Sequence, residues 1–166
     1  RAAGVAFTLN PADGDRSAIA IESSWGFGEA VVAGEVTPDS FLVDKVMFVI
    51  TRRAVATKSH EYVLSAQDDV VKIPIESDRA ERPSLTDEEV LAVARLARTV
   101  ERVYSCPQDI EWAIDADPAN GGGVVLLQAR PETSWSRMPR TMSDDDPSDF
   151  MSSIVSTLMA PLHARE

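Results

Sequence analysis

The chain has 166 residues, enough for one domain with a substantial core. Its formal net charge of −11 argues against nucleic acid and anionic membrane as partners, since both are held through an excess of Lys and Arg. No apolar run has the length to cross a bilayer, no charged-then-apolar leader is seen, and the single Cys106 excludes a disulfide framework and a cysteine-based zinc site, so a reducing cytoplasm is the expected setting.

The chain opens on Arg1 rather than Met, as a processed chain or a fragment would. Residues 4–9 form a short apolar run, closed by the strong turn signal Asn10-Pro11-Ala12-Asp13-Gly14-Asp15. Residues 18–24 resume as a buried strand. In Trp25-Gly26-Phe27-Gly28-Glu29 the glycines let the backbone turn tightly or approach a ligand. Gly-x-Gly with no following Lys is a weak nucleotide signal, so a structural role is expected for Gly26 and Gly28.

Residues 36–41 read as a turn, and residues 41–45, 46–55, 61–65 and 70–75 as strands of an antiparallel meander. Arg52, Arg53 and Lys58 are the only dense basic group; they either line an anionic ligand or, more commonly for such a group, are solvated strand-edge charges. His60 stands alone and is given no catalytic role. Residues 76–83 read as a charged loop. Thr86-Asp87-Glu88-Glu89 is a capping box, in which Thr86 caps and Glu89 reaches back. Val90, Val93, Ala94, Ala97, Val100 and Tyr104 then recur at three- and four-residue spacing, giving a helix with one apolar stripe. Arg95, Arg98 and Arg102 suit its later turns, it ends before Pro107, and its task is to cover one face of a sheet. Cys106 is expected to be a packed, inert thiol.

Residues 109–115 and 124–131 are rich in β-branched and aliphatic side chains, and the intervening 116–123 supplies turns, so the two runs form an antiparallel hairpin. Alternation puts Asp109 and Glu111 on one face, and Gln128 and Arg130 likewise share one. Setting Ile114 opposite Val125 brings Glu111 to Gln128 and Asp109 to Arg130. Glu111 carboxylate and Gln128 amide oxygen suit Mg²⁺, while Arg130 offers a planar fork for phosphate and Asp109 would orient it or hold a metal-bound water. By pattern alone a plain Asp109–Arg130 edge pair is the commoner outcome.

The strings Gln108-Asp109-Ile110-Glu111-Trp112-Ala113 and Leu126-Leu127-Gln128-Ala129-Arg130-Pro131-Glu132-Thr133 resemble the end of the ATP-binding domain of phosphoenolpyruvate synthase and pyruvate,phosphate dikinase. Gly4-Val5-Ala6-Phe7-Thr8-Leu9-Asn10-Pro11 and residues 22–34 resemble the same domain in the same order. Rifampicin phosphotransferases and the ATP-binding subunit of phenylphosphate synthase look similar. The resemblance spans residues 4–136 and implies an α+β fold, the C-terminal half of an ATP-grasp domain, mainly antiparallel sheet with one long packing helix. It further implies a short helix over residues 29–32 closed by Gly34. Implied roles are metal binding for Glu111 and Gln128, and ATP phosphate binding for Glu111, Gln128 and Arg130. Catalytic roles fall to Arg130 and to Asp109 as a supporting acid.

The implied cofactors are ATP and Mg²⁺, and the implied chemistry is phosphoryl transfer to a histidine on a separate domain or subunit, then to pyruvate, phenol or another acceptor. The family's preceding N-terminal half, with its phosphate-binding Lys and Arg, is not in this sequence and is the expected partner. The chain alone is therefore expected to be inactive. Residues 1–136 are assigned to this half-domain, 137–149 to an acidic linker containing Asp144-Asp145-Asp146, and 150–166 to a short amphipathic helix bearing Phe150, Ile154, Val155, Leu158 and Met159. A non-catalytic module assembling through that helix is the contrasting expectation.

Overall fold

In a computed structural model the described residues are 1–115 and 122–135, so the expected linker and C-terminal helix lie outside them. The strands are β1 (Ala2–Phe7), β2 (Ala18–Trp25), β3 (Asp39–Asp44), β4 (Ile50–Ala54), β5 (His60–Leu64), β6 (Val70–Pro74), β7 (Gln108–Asp115) and β8 (Gly123–Pro131). The helices are α1 (Glu29–Val32), α2 (Ser77–Ala80) and α3 (Asp87–Tyr104). Six strands form one antiparallel sheet in the order β4-β3-β2-β1-β7-β8, and β5 and β6 pair separately as a ribbon. The architecture is α+β and mainly antiparallel. No helix among the described residues is long and apolar enough to cross a membrane.

Alternation along the strands gives the sheet two unlike faces. One carries Ala6, Ile19, Ile21, Phe41, Ile110 and Trp112, packed against Val90, Val93, Ala94, Ala97 and Val100 of α3. The helix starts as its sequence predicts: Thr86 Oγ1 accepts the Glu89 N–H at 3.3 Å and the Glu89 carboxylate accepts the Thr86 N–H at 2.8 Å. Ser105, in the left-handed region at φ 58°, ends it. Tyr104, expected in the apolar stripe, is instead exposed in the last turn. The opposite face carries Val5, Phe7 and Ala20, partly covered by Ala30 and Val31 of α1 and by Val36, with Tyr62 of the ribbon against them.

Three expectations are revised. The strand expected over residues 46–55 begins only at Ile50, because the Asp44 carboxylate accepts the N–H groups of Val46 and Met47 at 2.8 and 2.7 Å and folds residues 45–49 into a turn. The charged segment 76–83 contains the short helix α2. Lys58 is neither a ligand cation nor a solvated edge charge. Its ammonium is fully buried, 2.6 Å from Asp39 Oδ1, and also donates to the Ala56 carbonyl. Asp39 Oδ2 accepts from Ser84 N–H and Oγ–H, both at 2.7 Å, so this buried pair is well satisfied. Arg53 pairs with Asp87 and lies over the Phe41 ring, which disperses the basic group.

Candidate functional site

The hairpin end that carries the polar cluster is fastened from outside the hairpin. Thr8 N–H donates to the Gln108 carbonyl at 2.9 Å, and Gln108 N–H to Thr8 Oγ1 at 2.7 Å. Glu132 N–H donates to the Pro107 carbonyl at 2.9 Å, and the Glu132 carboxylate in turn accepts the Trp135 N–H at 2.7 Å. Trp135 Nε1–H reaches the Pro11 carbonyl at 2.8 Å. These bonds hold β7 and β8 together next to β1.

Across β7 and β8, Asp109 pairs with Arg130 and Glu111 with Gln128, as the sequence predicts. Beyond Glu111 the register slips by one. Trp112 faces Leu126 and Ile114 faces Val124, correcting the expected Ile114–Val125 pair and leaving Leu127 as the extra residue of a bulge. Continuing across the sheet, Val5 stands beside Glu111 and Glu22 beside Val5, so one row on the α1 face reads Glu22, Val5, Glu111, Gln128. All four sequence-predicted site residues thus lie on the face that α3 leaves uncovered.

Their pairing differs from simple cross-strand neighbours. Arg130 Nη2 donates to Glu111 Oε1 at 3.3 Å, with both side chains about 30% exposed. Asp109, opposite Arg130, keeps a buried Oδ1 without a protein hydrogen-bond partner among the described residues. Burial, then the neighbouring Glu132 charge, raise its pKa from 3.8 to about 7, against the lowering influence of Arg130. Gln128 is exposed and its amide is available. The Glu111 carboxylate, the Gln128 amide oxygen and the unbonded Asp109 Oδ1 are oxygen donors of the kind a hard cation such as Mg²⁺ takes. Arg130 adds the one nearby guanidinium on these two strands, suited to an anion the cation would accompany.

Sequence reasoning missed two features. Glu22 is an acid in the middle of β2, only 3% exposed, with Oε1 lacking a partner among the described residues, and burial raises its pKa from 4.5 to about 7. The visible signal was a charge ending the run Ala18-Ile19-Ala20-Ile21. The second is a cleft of about 460 Å³ beside Glu111, lined by Gly4, Gly28, Glu29, Val32, Glu111 and Leu127. Leu127, the bulge residue that no periodicity announces, is among its lining residues.

The glycines before α1 have separable tasks. Gly26 sits at φ 75°, and a Cβ there would stand 2.4 Å from the Tyr62 carbonyl oxygen, so its role is structural as expected. Gly28 meets ordinary contacts only and belongs to the cleft wall. His60 Nδ1 is 2.9 Å from Ser59 Oγ and its Nε2 lies 3.5 Å from Glu35, well away from the polar cluster in sequence and on the separate ribbon. Cys106 is partly buried, its Sγ 3.1 Å from Gln108 Nε2.

One face of the sheet is sealed by a helix, and the other gathers oxygen donors and a guanidinium. The sequence carries this further: the family described as pyruvate phosphate dikinase, AMP/ATP-binding domain, matches residues 1–149, and the chain belongs to that family. It is 38% identical to phosphoenolpyruvate synthase of Aeropyrum pernix, over 82% of this chain and 20% of that protein. It is 43% identical to prodigiosin synthesizing transferase PigC of Serratia marcescens, over 82% of this chain and 15% of that protein. Phosphoenolpyruvate synthase of Deinococcus radiodurans is 36% identical, over 84% of this chain and 18% of that protein. The chain spans about a fifth or less of the length of these curated relatives.

Proposed function

We propose that this chain is the C-terminal half of an ATP-grasp-type domain that binds Mg·ATP for phosphoryl transfer in a phosphoenolpyruvate synthase-like phosphotransferase. The observation that carries the reading is the convergence of Asp109, Glu111, Gln128 and Arg130 on the sheet face opposite α3, in a chain of an ATP-binding family. Glu111 and Gln128 would hold Mg²⁺ through carboxylate and amide oxygens, and the ion when bound would neutralise phosphate charge. Arg130, whose guanidinium rests on Glu111, is placed to take a phosphate oxygen and to offset negative charge as the terminal phosphoryl group leaves. Asp109 supports Arg130 electrostatically from across the strand pair.

Catalysis in this reading is positioning and charge compensation; no covalent step falls to these side chains. The complementary N-terminal half-domain, and a phosphohistidine domain or subunit as first acceptor, complete the machinery. Calorimetric titration of Mg·ATP into the chain with that half supplied tests the assignment. Glu111→Ala and Gln128→Ala should abolish binding, and unchanged affinity in both variants would reject it.

A further inference from the structure

We infer that the groove between β4 and α3 docks this chain's own C-terminal segment, with Phe150, Ile154 and Leu158 seated along it and Asp144-Asp145-Asp146 at its mouth. β4 is the last strand of its sheet, so its outer edge has no strand beside it among the described residues. Between that edge and the flank of α3 runs a groove of about 480 Å³, lined by Phe48, Ile50, Arg52, Arg53 and Leu91. The turn at its mouth leaves Val46 76% and Met47 71% exposed, with Val49 exposed next to them. Apolar side chains beside an open strand edge invite pairing with other chains, and folds ordinarily cover such an edge with a helix or loop.

The place where the described chain stops decides the occupant. Trp135 lies against Gly14 and donates from Nε1 to the Pro11 carbonyl, so the chain leaves from the turn between β1 and β2. Ser17 of that turn accepts the Lys45 N–H at 2.8 Å, and Lys45 opens the turn that carries Val46, Met47 and Phe48. β1 and β4 stand three strand spacings apart, about 14 Å. Asp144 follows Trp135 by nine positions, and extended chain of that length spans up to about 30 Å, so the tether reaches the mouth with slack. Charge then runs in the order of the chain. Residues 143–162 hold four aspartates and no Lys or Arg. Arg95 and Arg98 stand over the Phe48 ring at 5.8 and 5.1 Å, at the mouth, and exposed Arg52 follows along the strand. The acids precede the apolar stripe and meet these cations first. As the helix its sequence predicts, Phe150 to Met159 is about 14 Å long, against about 17 Å for Phe48 to Arg53 along the edge. One helix therefore fills the groove. A tethered segment acts at an effective concentration on the order of millimolar, an advantage that a second copy of the chain lacks.

A nitroxide attached through Ser152→Cys, a position off the apolar stripe, in a Cys106→Ser background of the full chain reports the dock by NMR. Amide signals of residues 46–53 and of Leu91 should be lost to paramagnetic broadening, while those of β8, on the far edge of the sheet, hold. Ile154→Asp combined with Leu158→Asp should restore the lost signals. Arg95→Glu should restore them in part, and because Arg95 is exposed its reversal leaves the core intact. A mixture of nitroxide-bearing chain with isotope-labelled chain lacking the nitroxide should show no loss. Signals at 46–53 that the nitroxide leaves unmoved would overturn the dock. Loss across the mixture would overturn it in favour of a second copy of the chain. Loss that survives both the paired Asp variant and Arg95→Glu would overturn it as mere proximity of a tether.

Discussion

Glu22 is the residue whose physics is least expected from its neighbours. A carboxyl 3% exposed beside Val5 in the sheet has exchanged water for burial, which disfavours its charged form. In the unfolded chain it releases its proton near 4.5, and in the fold only near 7. Between those values the folded state holds the extra proton, so stability falls as pH rises through the window and levels off above it. The difference amounts to about 3 kcal/mol. Urea unfolding of Glu22→Gln across pH 4 to 8 should show a clearly shallower slope than wild type, and the variant more stable than wild type at pH 8; parallel curves would refute it. Asp109, with its pKa raised from 3.8 to about 7, contributes a slope of the same sign and comparable size, which the variant keeps.

Among the elements, α3 was the most legible. Its start, stripe and C-terminal stop follow from local rules: a capping box, residues at helical spacing, and a break before Pro107. Thr86→Ala removes the side-chain acceptor for Glu89 N–H and should cost about 1 kcal/mol in thermal or chemical unfolding, with m unchanged. The polar end of the hairpin was legible too, because alternation alone fixes which side chains share a face, and Glu111–Gln128 and Asp109–Arg130 pair as read. What escaped was non-local. The bulge at Leu127 is invisible to periodicity, Lys58 looked like a surface cation until Asp39 of β3 closed over it, and the turn at Asp44 was set by a side chain accepting backbone N–H groups. The separation of the β5–β6 ribbon from the main sheet likewise depends on pairing partners far apart in the chain.

At the scale of the molecule, the Asp39–Lys58 pair ties the sheet to the segment leading into α3, through Ser84 and the Ser23–Ser84 hydroxyl contact at 2.6 Å. Lys58→Met strands the Asp39 charge in a dry interior and should lower stability by about 3–5 kcal/mol. Adding Asp39→Asn should recover part of that loss in the same denaturation assay, and failure to recover any would show that packing, not charge, dominates. The way the hairpin is fastened has a further consequence for descent with modification. Because Thr8, Pro11, Glu132 and Trp135 clamp its mouth, the alignment of Glu111 with Gln128 is secured from the open end. Changes of length between Asp115 and Gly122 should therefore leave the chemistry at the other end undisturbed, making that connection a place where lineages are at liberty to diverge.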